Sequence, residues 1–248
     1  MTKQNDYWKK RLEKEMKAKQ DKEQEIDKEL SDLYRYHQTN IEKEIQSFYQ
    51  RYANSEGISV AEAKKRADSI DVQTFSDKAR RYVEEKNFSQ EAQESLKLYN
   101  LKMKVTRAEL LQYNMDLELV ALAEGEHKLT EKYLKEGYEE ELKLQSGILG
   151  EYIQNPIIQK HSMESIINTP FKGATWSEKI WHKQQVLQTV VASMVAQTLS
   201  RGRSALTMIP ELRKEFGVSK YEAKRLAVTE VARVQTEAAK ITMLDNKR

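Results

Sequence analysis

Residues that could bind a metal or act in acid–base catalysis are thinly spread along this sequence. The four histidines lie far apart, at positions 37, 127, 161 and 182, and none pairs with a second histidine at the spacing of a zinc site. The chain has no cysteine, which excludes disulfides, thiol nucleophiles and cysteine-ligated metals. We therefore predict no metal centre. His37 continues an apolar helical stripe, so we interpret it as a packed core or interface histidine.

The familiar signatures of enzymes are also missing. The sequence has neither a Gly-x-Ser-x-Gly nucleophile elbow nor a Gly-x-x-x-x-Gly-Lys-Ser/Thr phosphate loop. Glu139, Glu140 and Glu141 have a Glu-x-Glu spacing used by ADP-ribosyltransferases, but they fall in an acidic helical run, and we interpret them as a solvated face. We predict no catalytic residue and no cofactor. A remnant or regulator of a toxin domain is the least favoured alternative.

Two arginines near the C-terminal end could bind a phosphate group. Arg201 and Arg203 flank Gly202, and Ser204 follows at a predicted helix start. Guanidinium groups beside a helix N-terminus suit phosphate oxygens. The alternative is a basic helix C-terminus that a glycine caps. The chain carries a net charge of only +3, but residues 201–248 hold 11 basic and 6 acidic side chains, so the basic charge is concentrated at this end.

The elements that must position these residues are predicted to be helices. Eight glycines and three prolines among 248 residues are too few to punctuate many short strands. The mean hydropathy is low, at −0.80, yet leucine, isoleucine, valine and aromatic residues recur regularly. We therefore predict an all-α fold, in which long N-terminal helices form an elongated helical region and a compact C-terminal helical domain follows.

Four regions are predicted along the chain. They are a long charged amphipathic helix at 1–56, an elongated helical region at 57–150, a connector at 151–175 and a compact helical domain at 176–248. The first has no glycine or proline, and its apolar residues from Ile26 to Tyr52 recur about every 3.7 positions. The second includes another long helix at about 105–145. The connector holds Pro156 and Pro170.

Local signals predict where the helices begin and end. The Ser/Thr-x-x-Glu spacing of a capping box occurs at Ser59, Thr175 and Ser219. We expect Gly202 to end the helix that follows Thr175, and Gly217 to end the next segment, before a last helix opens at about Lys220. That helix is expected to face inward through Leu226, Val231, Val234 and Ile241.

The sequence shows no membrane or export signal. It has no run of about 18 apolar residues, and half of its first 20 residues are charged. We therefore expect no membrane contact and a protein that is not exported.

The C-terminal region carries three sequence elements in a defined order. They are Phe171-Lys-Gly-Ala-Thr-Trp176-Ser-Glu-Lys-Ile-Trp181, Leu199-Ser-Arg-Gly202-Arg-Ser204 and Val218-Ser-Lys-Tyr-Glu-Ala223-Lys-Arg225-Leu226-Ala-Val-Thr229-Glu230-Val-Ala-Arg233-Val-Gln235. This arrangement resembles the phage minor head protein family, also called phage head morphogenesis or MuF-like, over about residues 171–239. The family-motif residues are Trp176, Ser177, Trp181, Gly202, Leu226, Thr229 and Glu230. We interpret the two tryptophans as core anchors.

The resemblance implies a structural, non-enzymatic protein that is associated with the portal vertex inside the procapsid and acts in capsid assembly and DNA packaging or ejection. Its implied partners are the portal protein, with scaffold or major capsid protein as further ones, and its implied location is the host cytoplasm during assembly and then the interior of the virion head. The long helices also offer a route to self-association. The alternative function is sequence-independent binding of the DNA phosphate backbone by the basic C-terminal end. Members commonly continue into a cysteine-containing segment, so we expect either a short member or a truncated chain.

A polar cluster in the last predicted helix has two interpretations. Arg225, Thr229 and Arg233 are spaced by four and share one helix face, with Glu230 beside them. They could contact DNA or portal, or they could form an ion-paired clasp between helices, which we favour because arginine and glutamate beside a helical core can satisfy one another. Under the contact interpretation, and with the two arginines that flank Gly202, the candidate contact residues for DNA or portal are Arg201, Arg203, Arg225 and Arg233.

Overall fold

The regular elements of the protein are helices. The computed structural model describes residues 3–52, 69–86, 89, 106–149, 163–201 and 203–245. The named helices are α1 (Lys3–Tyr52), α2 (Ser69–Lys86), α3 (Arg107–Leu149), α4 (Trp176–Ser200) and α5 (Ile209–Asp245), with a 3₁₀ helix at Ala205–Met208. No strand occurs in the described ranges, which confirms the all-α prediction. In those ranges, no helix combines the length and apolar character needed to cross a membrane.

Several helix boundaries follow the local signals. Helix α1 covers nearly all of the predicted first helix, whereas the capping box predicted at Ser59 lies outside the described residues. The capping box at the start of α4 is confirmed: the Glu178 backbone N–H donates to the Thr175 hydroxyl at 3.2 Å, and the Thr175 N–H donates to the Glu178 carboxylate at 2.7 Å. The Thr-x-x-Glu spacing therefore predicted the start of α4 correctly.

The predicted break at Gly217 is wrong. Helix α5 runs through Gly217 without interruption, and Ser219 is an interior helical residue rather than an N-cap. Phe216, Ser219 and Ala223 follow helical spacing and are all buried. Burial along this face outweighs the roughly 1 kcal/mol that glycine costs relative to alanine inside a helix.

The described part of the predicted connector contains a short helical segment at 163–167 and a tight turn before α4. In this turn the Phe171 N–H donates to the Ala174 carbonyl at 3.0 Å. Gly173 has a φ of +89°, a conformation that residues with a Cβ rarely adopt. The turn therefore depends on glycine at this position.

The chain forms two compact units. The first unit consists of residues 1–32, 129–169 and 222–248, and the second of residues 33–128 and 170–221. This grouping differs from the consecutive division expected from the sequence, because α1, α3 and α5 each contribute residues to both units.

Each unit has its own buried apolar residues. Those of the first unit include Ile26, Leu30, Tyr133, Leu134, Val234 and Ala238. Those of the second unit include Ile41, Ile45, Phe75, Leu117, Val120, Ile180 and Phe216. Helices α1 and α3 pack closely at Gly125 in the second unit: a Cβ there would lie 2.7 Å from Leu33 Cδ1, so the Leu33 side chain would have to shift.

Candidate functional site

A fully buried carboxylate, that of Glu118 on α3, lies in the second unit with four donors around it. His37 Nδ1 lies 2.9 Å and Asn40 Nδ2 3.2 Å from its Oε2. The Tyr82 hydroxyl donates to Oε1 at 2.5 Å, and Lys78 Nζ lies 3.4 Å from the same oxygen. A carboxylate only accepts, so the proton on His37 Nδ1 points at Glu118. The prediction that His37 is a packed core residue is confirmed.

These donors keep Glu118 ionised although it is buried. Burial alone would raise the pKa of this carboxyl, but the hydrogen bonds from His37 and Tyr82, with the nearby charge of Lys78, lower its pKa to about 2. The side chain of Glu118 is 0% exposed. The cluster therefore joins α1, α2 and α3 within the second unit.

A second buried carboxylate, that of Glu126, lies two turns further along α3. The Tyr34 hydroxyl donates to its Oε2 at 2.8 Å, and Lys183 Nζ contacts its Oε1 at 2.5 Å. Lys183 also donates to the Tyr34 hydroxyl at 3.0 Å, and Ser219 Oγ lies 3.1 Å from that hydroxyl. Residues from α1 and α4 thus contact the Glu126 carboxylate on α3, and Ser219 of α5 joins the cluster through the Tyr34 hydroxyl. Ser219 makes this contact with the Tyr34 hydroxyl from a position inside α5.

Asp116 is the exception among the buried carboxyls of the second unit. It is 8% exposed, and its Oδ1 has no hydrogen-bond partner among the described residues. Burial raises its pKa to about 7, and a hydrogen bond from Gln112 only partly opposes this. Two acids two residues apart on one helix therefore differ widely in proton affinity, because four donors surround Glu118 whereas the hydrogen bond from Gln112 does not offset the burial of Asp116.

The sequence analysis did not single out these carboxylates; of the acidic residues of α3 it interpreted only Glu139, Glu140 and Glu141, as a solvated face. That interpretation holds for Glu139 and Glu140, which are exposed, and is wrong for Glu141, which is buried beside Lys19 and Gln145. The available signal was spacing. Glu118 and Glu126 stand at core positions of one helical stripe, which runs through Leu111, Met115, Glu118, Leu122 and Glu126.

Arg201 and Arg203 line one surface groove in the second unit. Both side chains are exposed, and neither forms an ion pair with another described residue. The groove has a volume of about 390 Å³ and is also lined by Thr189, Val190, Ser193, Met194, Gln197, Thr198 and Glu211. The Arg203 N–H donates to the Thr198 carbonyl at 3.0 Å at the end of α4. The backbone thus closes the helix while both guanidinium groups remain accessible.

The other two candidate arginines differ from each other. The Arg233 Nε donates to Glu230 at 2.7 Å, and its Nη1 and Nη2 donate to the carbonyls of Ile166 and Ile167 at 2.9 and 3.0 Å. The Arg233 side chain is only 10% exposed. The structure therefore places Arg233 in an internal clasp of the first unit, whereas Arg225 and Thr229 lie exposed on α5.

Most of the described family-motif residues contribute to packing. The ring of Trp176 is buried with its centroid 4.4 Å from that of His127, whose Nε2 lies 3.0 Å from the Ser177 hydroxyl. Trp181 packs, partly buried, on a cluster around Phe75. Leu226 is half-buried and Glu230 is buried. Gly202 lies outside the described residues.

The described residues include no group of three or more histidine, aspartate or glutamate side chains arranged to hold a metal ion. Comparisons with protein-family models, with curated proteins and with solved structures found no match to this chain.

Proposed function

We propose that this chain is a structural, non-enzymatic protein of the phage minor head type. In this proposal it associates with the portal vertex inside the procapsid and acts in capsid assembly and in DNA packaging or ejection. It would be made in the host cytoplasm and end in the interior of the virion head. The proposal rests on the resemblance of residues 171–239 and on how the chain uses its buried polar groups.

The supporting observation is that the buried polar residues hold helices together. Arg233 of α5 joins Glu230 to the carbonyls of Ile166 and Ile167, and Ser177 of α4 contacts His127 of α3. The carboxylates of Glu118 and Glu126 accept hydrogen bonds from several helices of the same chain. Buried polar networks whose members are satisfied within the chain rigidify a fold, which suits a structural protein.

The test is association with the cognate portal protein. We expect the two purified proteins to elute together in size-exclusion chromatography at low and at high salt, and the portal of an unrelated phage to elute separately from this chain. Mass spectrometry of purified procapsids and virions should also detect the chain. Separate elution from the cognate portal at both salt concentrations would contradict the proposal.

A second candidate function, sequence-independent DNA binding, is favoured by the groove of Arg201 and Arg203. Two accessible guanidinium groups stand beside the hydroxyl and amide side chains of Ser193, Gln197 and Thr198. This is a set of donors that suits phosphate oxygens. Arg233 is excluded from this surface because its donors are already used internally.

Replacing both groove arginines, Arg201→Gln with Arg203→Gln, should weaken binding of a fluorescent DNA duplex about tenfold or more. The slope of log K against log salt should become shallower by about 2, because two phosphate contacts are lost. The matched control is Arg80→Gln with Arg81→Gln, which removes two exposed arginines from α2 of the same unit. If the groove variant and the control bind DNA equally well, this function is wrong.

A further inference from the structure

The groove of Arg201 and Arg203 also contains one carboxylate, that of Glu211. This side chain lies in the first turn of α5, lines the same groove and is exposed. Like the two arginines, it forms no ion pair with another residue of the described ranges. Every other side chain that lines the groove is uncharged. The lining thus combines two positive charges with one negative charge, and its net charge is +1.

The hydroxyl of Ser193 adds a hydrogen-bond donor to this groove. Gln197 Nε2 donates to Ser193 Oγ at 3.0 Å. The Ser193 hydroxyl hydrogen remains available to a ligand, and the bond that its oxygen accepts polarises the hydroxyl and strengthens it as a donor. Thr189 differs, because its hydroxyl already donates to the Gln185 carbonyl at 2.9 Å. The donors for an anion therefore come from Ser193 and the two arginines.

The net charge of the lining discriminates between two kinds of phosphate. A phosphodiester carries one negative charge, whereas a phosphomonoester carries between one and two at neutral pH, because its second pKa is about 6. The attraction of an anion to the groove grows in proportion to the charge of the anion, but the solvation that the anion loses on binding grows with the square of that charge. A low net charge in the lining therefore favours the singly charged ligand, and Glu211 keeps this net charge low.

We propose that the groove binds the singly charged phosphodiester of a DNA backbone in preference to a doubly charged phosphomonoester, and that Glu211 sets this preference. The inference rests on the DNA binding proposed above and names the phosphate group that the same site accepts. Ser193 and the two arginines supply the donors, and the Glu211 carboxylate disfavours the second charge of a monoester. The terminal phosphates of DNA ends and of free nucleotides are therefore poor ligands for the groove.

Two small competitors that differ mainly in charge test this preference. At pH 8, dimethyl phosphate is a singly charged diester and methyl phosphate is a doubly charged monoester. Each is titrated into the full-length chain bound to a fluorescent DNA duplex without terminal phosphates, with sodium chloride added to keep the ionic strength equal. Dimethyl phosphate should displace the DNA from the wild-type chain at a lower concentration than methyl phosphate does.

The Glu211→Gln variant tests the role of the carboxylate, because it removes the charge and keeps the size of the side chain. Its affinity for the DNA duplex should rise about threefold, the effect of one unit charge several ångströms away in water. Methyl phosphate carries twice the charge of dimethyl phosphate and should gain more from the substitution. The ratio of the two displacing concentrations should therefore shift in favour of methyl phosphate by about threefold.

Two controls accompany this variant. Glu222→Gln removes the same charge from an exposed position of α5 that does not line the groove, and it should leave the DNA affinity and the competitor ratio at their wild-type values. In the background of Arg201→Gln with Arg203→Gln, Glu211→Gln should have no effect, because the ligand is no longer held beside it. Circular dichroism should show that every variant keeps its helical content, since the altered side chains are exposed.

Failure of the inference and failure of the DNA-binding function give different results. If the wild-type chain binds no DNA, or if the double arginine variant binds it as tightly as Arg80→Gln with Arg81→Gln does, the function is wrong and the inference is wrong with it. If the groove arginines are needed but Glu211→Gln behaves like Glu222→Gln, only the inference is overturned. The inference is also overturned if methyl phosphate is the better competitor for the wild-type chain.

Discussion

Replacing Glu118 with alanine is expected to lower the free energy of unfolding by about 3–5 kcal/mol, the usual loss when one partner of a buried ionic cluster is removed. The substitution removes the acceptor of the donors on buried His37 and on half-buried Asn40 and Tyr82. It also leaves the charge of Lys78 unpaired at one of its two contacts, the other being Glu44 at 2.6 Å. Urea unfolding at neutral pH, followed by far-ultraviolet circular dichroism, measures the change.

The control for this prediction is Glu139→Ala, which removes an exposed carboxylate from the same helix. Its effect should stay within about 0.5 kcal/mol. If Glu118→Ala does not fold, Glu118→Gln provides the measurement, because it keeps one acceptor oxygen and should lose about 1–3 kcal/mol. Wild-type stability in Glu118→Ala would show that the four donors do not depend on this carboxylate.

The contribution of Glu118 should also depend on pH. Its folded-state pKa, at about 2, lies below the unfolded value of about 4.3. The folded state therefore favours the ionised form, and the stabilisation is present above about pH 4.3 and is lost as the pH falls towards 2. The difference in stability between wild type and Glu118→Gln should shrink over this interval.

The second large effect has the opposite sign. Asp116→Asn should stabilise the protein at pH 8 by roughly 3–4 kcal/mol, because the pKa of Asp116 is raised to about 7 by burial and each pKa unit corresponds to about 1.4 kcal/mol. Because the pKa of Asp116 is higher in the folded state, its protonated form contributes fully to stability below the unfolded pKa of about 3.9. This contribution is lost as the pH rises through about 7. The stabilisation by Asp116→Asn should therefore vanish near pH 4.

Urea unfolding at a series of pH values tests this prediction, with Glu139→Gln as the control that removes an exposed charge from the same helix. The control should show no comparable dependence on pH. If Asp116→Asn stabilises the protein equally at pH 8 and pH 4, then ionisation of Asp116 does not destabilise the folded state and the prediction is wrong. Together, Asp116 and Glu118 test whether donors, rather than burial alone, decide the charge of an acid in α3.

The helices and part of their boundaries were predictable from the sequence because the signals are local. The spacing of apolar residues in α1 and the Thr175–Glu178 capping box each act within a few turns of one helix. Gly217 shows the limit of such signals. Its local preference is worth about 1 kcal/mol, and the burial of neighbouring residues on α5 outweighs it.

The candidate site was less predictable. The sequence identified Arg201 and Arg203 as a pair, and the structure shows that both line one groove. Sequence spacing gave Arg225 and Arg233 the same role, but only Arg233 is enclosed by acceptors, and two of those are backbone carbonyls of residues 166 and 167. A sequence pattern does not show which backbone carbonyls lie near a side chain. The difference in exposure between Arg225 and Arg233 could therefore not be predicted.

The sequence by itself determined that this protein is helical, that it lacks cysteine chemistry and that its basic charge is concentrated near the C-terminal end. Only the tertiary structure decided which charged residues are buried and with whom they pair. The donors of Glu118 come from positions 37, 40, 78 and 82, far from residue 118 in the chain. Desolvation and hydrogen bonding depend on distances in space, and α3 acquires its enclosed acids only when the other helices pack around it.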